Sequence, residues 1–359
     1  MKNIPIQQLL LRIITLFVII SILISCQSSQ ATSTQEINPE ATQPYLPETF
    51  QTSLLNPLDS PRTYIEETCR YLRNKWNPLN ATPGTVVLVI RFQNINRGTA
   101  ELPNSVPLIE VRDLMNQLKG QGFEAINTEQ LQGFVERNAF IPERSVYLIQ
   151  DGNHDEEYFY IVFGEYWENW KWPVINGWVS DPDATEELVR ENIELEREGF
   201  VDHQAQGVFA TAKLSDESAK NVIARELQGS WTGFANIYGK NPLAIIWPNG
   251  GFGFRPVEAA RQLRFKMGFT MNARGPIMYN WVPLADAVDL ERPNLIPEGT
   301  INDPLMTLPT YSPQEALMAI DTARVIGKEY SDYAQANKEA EYEYYETVCE
   351  PEYSPIPSP

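Results

Sequence analysis

The chain has 359 residues, which is enough to bury the core of one barrel-sized domain with extensions at both ends. Asp and Glu number 47 against 28 Lys and Arg, so the formal net charge is −19. This balance excludes nucleic-acid binding as the expected function, because phosphate recognition needs clustered cations.

The N-terminus has the pattern of an export signal. Lys2 and Arg12 precede or flank an apolar run at residues 13–24. This run is too short for a helix that spans a bilayer, and a polar segment follows it. We therefore predict that residues 1–25 form a signal peptide.

Cys26 is the predicted lipid attachment site. The sequence Leu23-Ile24-Ser25-Cys26 resembles the bacterial lipobox, in which the cysteine is acylated and becomes the new N-terminus. Several acyl chains suffice for stable attachment to a bilayer. The resemblance implies a lipid bilayer as partner and the cell envelope as location, and Gln27 favours the outer membrane if the cell has two membranes. The alternative is an ordinary signal peptide that happens to end near a cysteine.

Two segments flank the predicted domain at residues 61–330. Residues 26–60 are rich in Ser, Thr, Gln, Pro and Glu without helical or strand periodicity, which is typical of a flexible tether. Residues 331–359 form an acidic tail, which we expect to be solvated.

Cys69 and Cys349 are the two cysteines that remain once Cys26 is acylated. An even pair in an oxidising compartment can form a disulfide, which would join the first helix to the tail. The alternative is a buried free thiol, because Cys69 lies on an apolar helical face with Ile65 and Leu72.

Short apolar strands alternate with helices from Thr85 to Ala323, which is the pattern of parallel β/α units. Residues 85–90 form a continuous apolar run and predict a strand that is buried on both faces. Further strands are predicted at residues 124–126, 145–150, 172–179, 200–203, 243–247 and 266–270, and helices at residues 111–120, 128–134, 158–170, 185–198, 215–239, 255–263 and 312–323.

Four tryptophans crowd one stretch of this pattern, at Trp167, Trp170, Trp172 and Trp178. Such rings can stack on sugar rings or fill the space between layers of structure. We predict that packing is their main role.

Five stretches of the chain, in this order, carry a resemblance to a known family: Val87-Leu-Val-Ile-Arg-Phe-Gln-Asn-Ile95, Leu118-Lys-Gly-Gln-Gly-Phe-Glu-Ala-Ile-Asn-Thr-Glu-Gln-Leu131, Leu148-Ile149-Gln150-Asp151-Gly152, Lys213-Leu-Ser-Asp-Glu217 and Gly239-Lys-Asn-Pro-Leu-Ala-Ile-Ile-Trp-Pro-Asn-Gly250. Together they resemble the polysaccharide deacetylase family, carbohydrate esterases with the nodulation-type deacetylase domain. The resemblance implies an α/β fold, an irregular (β/α) barrel in a single domain with an N-terminal tether and an acidic C-terminal tail.

The resemblance also implies metal-assisted amide hydrolysis of N-acetylated polysaccharide. In the family, one aspartate and two histidines hold a divalent ion, often zinc, and leave positions open for water and the substrate carbonyl. A second aspartate takes the proton of the water, and a histidine late in the chain protonates the leaving amine.

This chain departs from that pattern at most of the functional positions. Asp151 matches the metal-binding acid, but Gln150 stands at the position of the base, and an amide cannot accept a proton at ordinary pH. His203 matches the first metal histidine, whereas Gly207 stands where the second is expected. No histidine follows Thr270, so the late acid has no candidate.

A relocated metal site is one alternative. His154 lies three residues after Asp151, so Asp151, His154 and His203 are predicted metal ligands if a divalent ion binds, with zinc preferred. The other alternative is that no metal binds and His154 is an ordinary turn residue. Even if a metal binds, the base and the late acid are missing, and Asp155 or Asp202 is a candidate substitute for the base that the spacing does not demand.

Three further residues are predicted to line the cleft of the barrel: Gln93, Trp247 and Asn249. Gln93 lies near the end of the first strand, where the family often has histidine. Asn249 replaces the aromatic residue that follows the loop proline in the family.

Three functions compete on this basis. The first is an envelope lipoprotein whose deacetylase-like domain is a pseudoenzyme that binds or organises N-acetylated polysaccharide. The second is an active metal-dependent hydrolase that removes N-acetyl groups with the rearranged site. The third is an envelope interaction or assembly protein. General acid and base groups each contribute about a hundredfold to ten-thousandfold, so losing both leaves little hydrolysis.

Overall fold

The computed structural model describes residues 44–96 and 105–357. The predicted signal peptide, the lipidation site Cys26 and the tether as far as residue 43 lie outside the described residues. Within the described ranges, no helix combines the length and the apolar character needed to cross a bilayer.

Strands and helices alternate along most of the chain. The strands are β1 (Asp59–Arg62), β2 (Val86–Phe92), β3 (Asn94–Asn96), β4 (Ser105–Pro107), β5 (Glu124–Ala125), β6 (Arg144–Asp151), β7 (Val174–Trp178), β8 (Val201–Ala205), β9 (Ala244–Ile246), β10 (Met267–Phe269) and β11 (Val282–Ala285). The helices are α1 (Thr68–Trp76), α2 (Leu108–Gly120), α3 (Thr128–Arg137), α4 (Glu156–Trp170), α5 (Glu186–Glu198), α6 (Lys220–Ala224), α7 (Ser230–Tyr238), α8 (Phe254–Gln262) and α9 (Pro313–Tyr344).

A curled parallel sheet forms the centre of the domain, with the order β10-β9-β8-β7-β6-β2 and β5 also paired to β6. The two edge strands are joined through one irregular segment, in which Leu308 bridges Phe269 of β10 and Tyr311 bridges Ile90 of β2. The predicted α/β fold, an irregular (β/α) barrel, is therefore confirmed.

The two faces of the sheet bury different residues because successive side chains of a strand point to opposite sides. Val87, Val89, Ile149 and Ile175 pack with residues of β9 and β10 inside the barrel. Their neighbours along β2 and β6, such as Leu88, pack outward against α2, α4 and α9. Of the four tryptophans, Trp172 and Trp178 are buried, in agreement with a packing role.

The helix predicted at residues 215–239 begins five residues later than expected. Ser215 does not cap it: the helix begins at Lys220, and the Ser215 hydroxyl accepts the N–H of Glu217 in a turn. A π-helical turn at Arg225–Gly229 separates α6 from α7. The Ser312–Glu315 capping box of α9 is confirmed, with each side chain bonded to the backbone N–H of the other.

The predicted tether and tail contain ordered structure. Phe50 is buried against the rings of Trp281, Tyr330 and Tyr333, and β1 pairs with β11. The last helix runs without a break across residue 330, because buried apolar residues recur along it as far as Ala334. The sequence boundaries at residues 60 and 330 therefore do not coincide with a change of structure.

Cys69 and Cys349 are joined by a disulfide. Of the two predicted alternatives, a disulfide and a buried free thiol, the structure therefore has the disulfide. It connects α1 to the turn that follows α9. A buried ion pair lies beside it, with Lys75 Nζ 2.8 Å from Glu341 Oε1. Together these contacts attach α1 to the end of α9 and to the turn that follows it.

A second ionic cluster fastens β1 to the loop after β11. Arg274 Nη1 lies 2.8 Å from Asp59 Oδ1, and Arg274 Nε lies 2.7 Å from Glu298 Oε2. Arg292 contacts the same oxygen of Asp59 at 2.8 Å. The side chains of Arg274, Asp59 and Glu298 are almost fully buried, so charge pairing is what makes their burial tolerable.

Candidate functional site

Asp151 ends β6 at the carboxyl end of the sheet, on the interior face. Its Oδ1 accepts a hydrogen bond of 2.7 Å from Arg91 Nε. The side chain of Arg91 is 2% exposed and that of Asp151 is 14% exposed. The predicted metal-binding acid is thus held by an arginine of the neighbouring strand.

Arg91 also binds the ends of two other strands. Its Nη1 donates to the carbonyl of Thr270 at 3.1 Å, and its Nη2 donates to the carbonyl of Trp247 at 3.0 Å. Because Arg91 follows Val87 and Val89 on the interior face of β2, its guanidinium lies at the carboxyl end of the barrel interior. One buried cation therefore links β2, β6 and the segments after β9 and β10.

Gln150, at the position of the base, points to the other side of the sheet. It is fully buried, and its Oε1 accepts a 2.9 Å hydrogen bond from the hydroxyl of Tyr158 on α4. Its Nε2 donates to the carbonyl of Asp151 at 3.0 Å. The amide therefore has a structural role between the sheet and a helix and cannot act beside Asp151.

His154 lies in the turn between β6 and α4. Its ring stacks on Tyr158, with 3.9 Å between ring centroids. Its Nε2 lies 2.9 Å from the main-chain carbonyl of Asp151 and does not contact the carboxylate. Burial lowers the pKa of His154. The turn residue is thus half-buried and held against backbone.

His203 is fully buried between the sheet and the helices outside it. Its Nδ1 lies 3.0 Å from Glu196 Oε2, and its Nε2 lies 2.8 Å from Asn192 Oδ1. The ring stacks on Tyr238 of α7. Burial lowers the pKa of His203, while the Glu196 carboxylate acts in the opposite direction. All of these partners belong to α5 and α7, so His203 faces away from the barrel interior.

The register of the strands explains why the predicted metal ligands do not meet. Gln150 pairs with Asn176, and Asn176 pairs with His203, so these three side chains share the outer face. Asp151 pairs with Gly177 on the interior face. Paired residues of adjacent strands point to the same side, and a one-residue step changes the side.

The relocated site of Asp151, His154 and His203 is therefore not assembled. Among the residues that the structure describes, no group of three His, Cys, Asp or Glu side chains could hold a metal ion. The residues present do not fit a divalent ion held by one aspartate and two histidines. The two acids considered as substitutes for the base are also engaged: Asp155 caps α4, and Asp202 accepts the N–H of Thr128.

The three predicted cleft residues have different surroundings. Gln93 is half-buried at the end of β2, with its Nε2 3.5 Å from Met271 Sδ. Asn249 donates to the carbonyls of Ala210 and Ala212, which ties two rim loops together. Trp247 does not line the cleft. It is fully buried outside the sheet, because Ala244 and Ile246 occupy the interior positions of β9.

Sequence reasoning missed two side chains of the site, Arg91, which binds the Asp151 carboxylate, and Gln206, which binds the residue after it. Gln206 is nearly buried, and its Oε1 accepts the N–H of Gly152 at 2.8 Å. A Cβ on Gly177 would lie 2.2 Å from this oxygen, so only glycine leaves room for it. Arg91 could have been noticed as a charged residue within the otherwise apolar sequence of β2. The alternation of the strand places it on the same interior face as Val87 and Val89.

The rim also carries two exposed rings, Phe209 on the loop after β8 and Phe254 at the start of α8. The loop of Phe209 is fixed by the buried carboxylate of Glu226, which accepts the N–H groups of Val208 and Phe209 at 2.9 and 3.1 Å. Glu226 lies in the π-helical turn. Exposed aromatic rings on a fixed loop can serve as contact surfaces for a ligand.

No family model and no curated protein matches this sequence. Solved structures do match. The Streptococcus pyogenes deacetylase PplD in complex with acetate has a TM-score of 0.51 and 17% identity over 67% of this chain and 99% of that chain. IcaB from Ammonifex degensii has a TM-score of 0.51 and 11% identity over 67% of this chain and 98% of that chain. A polysaccharide deacetylase from Bacillus cereus has a TM-score of 0.49 and 15% identity over 66% and 69%.

The first two matches cover almost the whole of their own chains. At these identities they establish the fold, and they confirm the resemblance to a polysaccharide-deacetylase-like barrel on which the sequence interpretation rests. The roles of individual residues have to be argued from the side chains of this chain.

Proposed function

We propose that this protein is a lipid-anchored component of the cell envelope whose deacetylase-like barrel binds N-acetylated polysaccharide without hydrolysing it by metal assistance. The observation that carries the proposal is that Asp151 and His203 point to opposite faces of the sheet. The side chains that would hold a catalytic ion therefore do not meet.

The missing acid–base groups support the same proposal. Gln150 cannot accept a proton and is buried on the outer face. The chain has two histidines in total, His154 and His203, so no histidine is left to protonate a leaving amine. General acid and base catalysis each contribute about a hundredfold to ten-thousandfold.

The rim of the barrel supports a binding role. Phe209 and Phe254 offer exposed rings on which the apolar face of a sugar can stack, while Asp151 and Gln206 offer polar atoms. The structural neighbour from Streptococcus pyogenes is a deacetylase that was solved with acetate. Because of that comparison, we propose that the ligand of this chain bears acetyl groups.

Calorimetric titration with N-acetylglucosamine oligomers tests the proposal. We expect saturable binding that Phe209→Ala weakens about twofold to tenfold, because an aromatic stacking contact is worth about 0.5–1.5 kcal/mol. Phe140→Ala is the control, since Phe140 is also an exposed phenylalanine but precedes β6 at the opposite end of the barrel. Absence of binding, or an equal loss with Phe140→Ala, would contradict the proposal.

The anchor is a separate part of the proposal and rests on Cys26. We expect the full chain to fractionate with membranes and Cys26→Ser to be recovered in the soluble fraction, because the acyl chains would be lost. The Cys69–Cys349 disulfide is consistent with an oxidising compartment such as the envelope. Continued membrane attachment of Cys26→Ser would refute the lipid anchor.

A role in assembly is the second candidate, and one loop favours it. Val288, Leu290 and Ile296 are exposed, with Leu290 92% exposed, on the loop that Arg274 and Arg292 fasten to the domain. Exposed aliphatic side chains on a fixed loop are typical of protein contact sites. Failure to bind any glycan, together with co-purification of an envelope protein that Leu290→Asp abolishes, would favour this candidate.

A further inference from the structure

We infer that Arg91 takes the place of a metal ion as the permanent counter-ion of Asp151, and that this pair, with Gln206, binds an uncharged acetamido group without a metal. The ligand part of this inference rests on the proposed function. The counter-ion part rests on the geometry of the barrel alone.

The geometry of Arg91 is that of a built-in cation. Three of its nitrogen atoms are engaged: Nε with Asp151 Oδ1, Nη1 with the carbonyl of Thr270 and Nη2 with the carbonyl of Trp247. A guanidinium stays charged at every pH at which the protein is folded. The charge of Asp151 is therefore compensated without any ion from solution.

The same contacts make Asp151 a poor metal ligand. A divalent ion on this carboxylate would lie close to a buried guanidinium, and the two positive charges would repel each other strongly where water is scarce. In the part of the chain that the structure describes, no three His, Cys, Asp or Glu side chains come together to hold an ion, whereas zinc sites need three or four ligands. We conclude that the interior end of β6 is arranged to exclude a metal ion.

The exposed part of the pair is an acceptor. Asp151 Oδ1 is bonded to Arg91, and among residues 44–96 and 105–357 no group donates to Asp151 Oδ2, although the side chain is 14% exposed. Oδ2 can accept from a ligand hydroxyl or amide N–H. Such a bond to a charged acceptor is stronger than one between neutral groups.

A donor lies on the same interior face, because Gly177 pairs with Asp151 and the Gln206 amide lies against Gly177. Gln206 uses its Oε1 for the N–H of Gly152, the residue after Asp151, so its amide is fixed in orientation. Within the described part of the chain its Nε2 has no hydrogen-bond acceptor. A Cβ on Gly152 would meet nothing within 4 Å, so the space above the turn is open. An acceptor beside a donor is complementary to the N–H and carbonyl of an acetamido group.

Two calorimetric titrations of the full-length protein test the inference, one with zinc alone and one with N-acetylglucosamine oligomers in EDTA or in zinc. We expect no zinc binding that depends on Asp151 and the same oligomer affinity in both buffers. Asp151→Asn should weaken oligomer binding about tenfold to a hundredfold, the range for hydrogen bonds to charged groups. The exposed Asp183→Asn is the matched control and should change nothing.

Gln206→Glu is the second variant, because it keeps an acceptor for the N–H of Gly152 and replaces the Nε2 donor by a charged acceptor oxygen. It should weaken binding of acetylated oligomers as well, even if Asp151→Asn fails to fold. Stoichiometric zinc that Asp151→Asn removes would overturn the counter-ion role, and loss of oligomer binding in EDTA would overturn metal independence. If the wild type binds no oligomer, the proposed function and the acetamido assignment fall, and the zinc titration still decides the role of Arg91.

Discussion

Replacing Arg91 by methionine is expected to lower the free energy of unfolding by about 3 kcal/mol, the lower end of the range for breaking a buried ion pair. The variant leaves the Asp151 carboxylate without its cation, and the carbonyls of Thr270 and Trp247 each lose one of their two donors. The lower end applies because the Asp151 side chain is 14% exposed and water compensates part of its charge. Denaturant unfolding measures the loss.

Two comparisons make this expectation specific. Arg190→Met removes an exposed pair with Glu187, whose side chains are 70% and 74% exposed, and should cost less than about 1 kcal/mol. Adding Asp151→Leu to Arg91→Met should recover much of the loss, because the unpaired charge is removed as well. If Arg91→Met were no more harmful than Arg190→Met, the buried pair would not stabilise the barrel end.

Removing the disulfide is the second large effect that we expect. Reduction, or Cys69→Ser with Cys349→Ser, should lower the free energy of unfolding by about 2–5 kcal/mol. The bridge joins residues 280 positions apart, so its loss greatly increases the conformational freedom of the unfolded chain. Urea unfolding with and without a reductant measures the effect.

The double serine variant is its own control, because a reductant should not change its stability. The Lys75–Glu341 ion pair and the ring contact of Trp76 with Tyr342 remain between α1 and α9, so the folded structure should persist without the bridge. Equal stability of the oxidised and reduced wild type would contradict the expectation.

The central sheet could be predicted from sequence because parallel strands that are buried on both faces are continuous apolar runs. β2, β6 and β9 are such runs, and the helices between them have apolar stripes or caps. The pairing of β1 with β11 was missed because it joins distant segments, and neither contains an alternating pattern. The full length of α9 was not predicted because its second half is rich in acidic residues. A stripe of buried residues nevertheless continues along that half.

The candidate site was harder to predict for a physical reason. Asp151 lies at the end of β6 and His203 lies within β8, with β7 between the two strands. Which face each side chain occupies depends on the register, and a shift of one residue reverses it. Sequence spacing alone does not determine that register. Arg91 could have been found by asking which residue neutralises an acid inside an apolar barrel.

The measurement that tests the central claim most directly is release of acetate from N-acetylglucosamine oligomers by the purified protein in zinc-supplemented buffer. The Arg91–Asp151 pair and the outward orientation of His203 predict release no faster than in buffer alone. Asp151→Asn should give the same result. Acetate release by the wild type that Asp151→Asn abolishes would contradict the account.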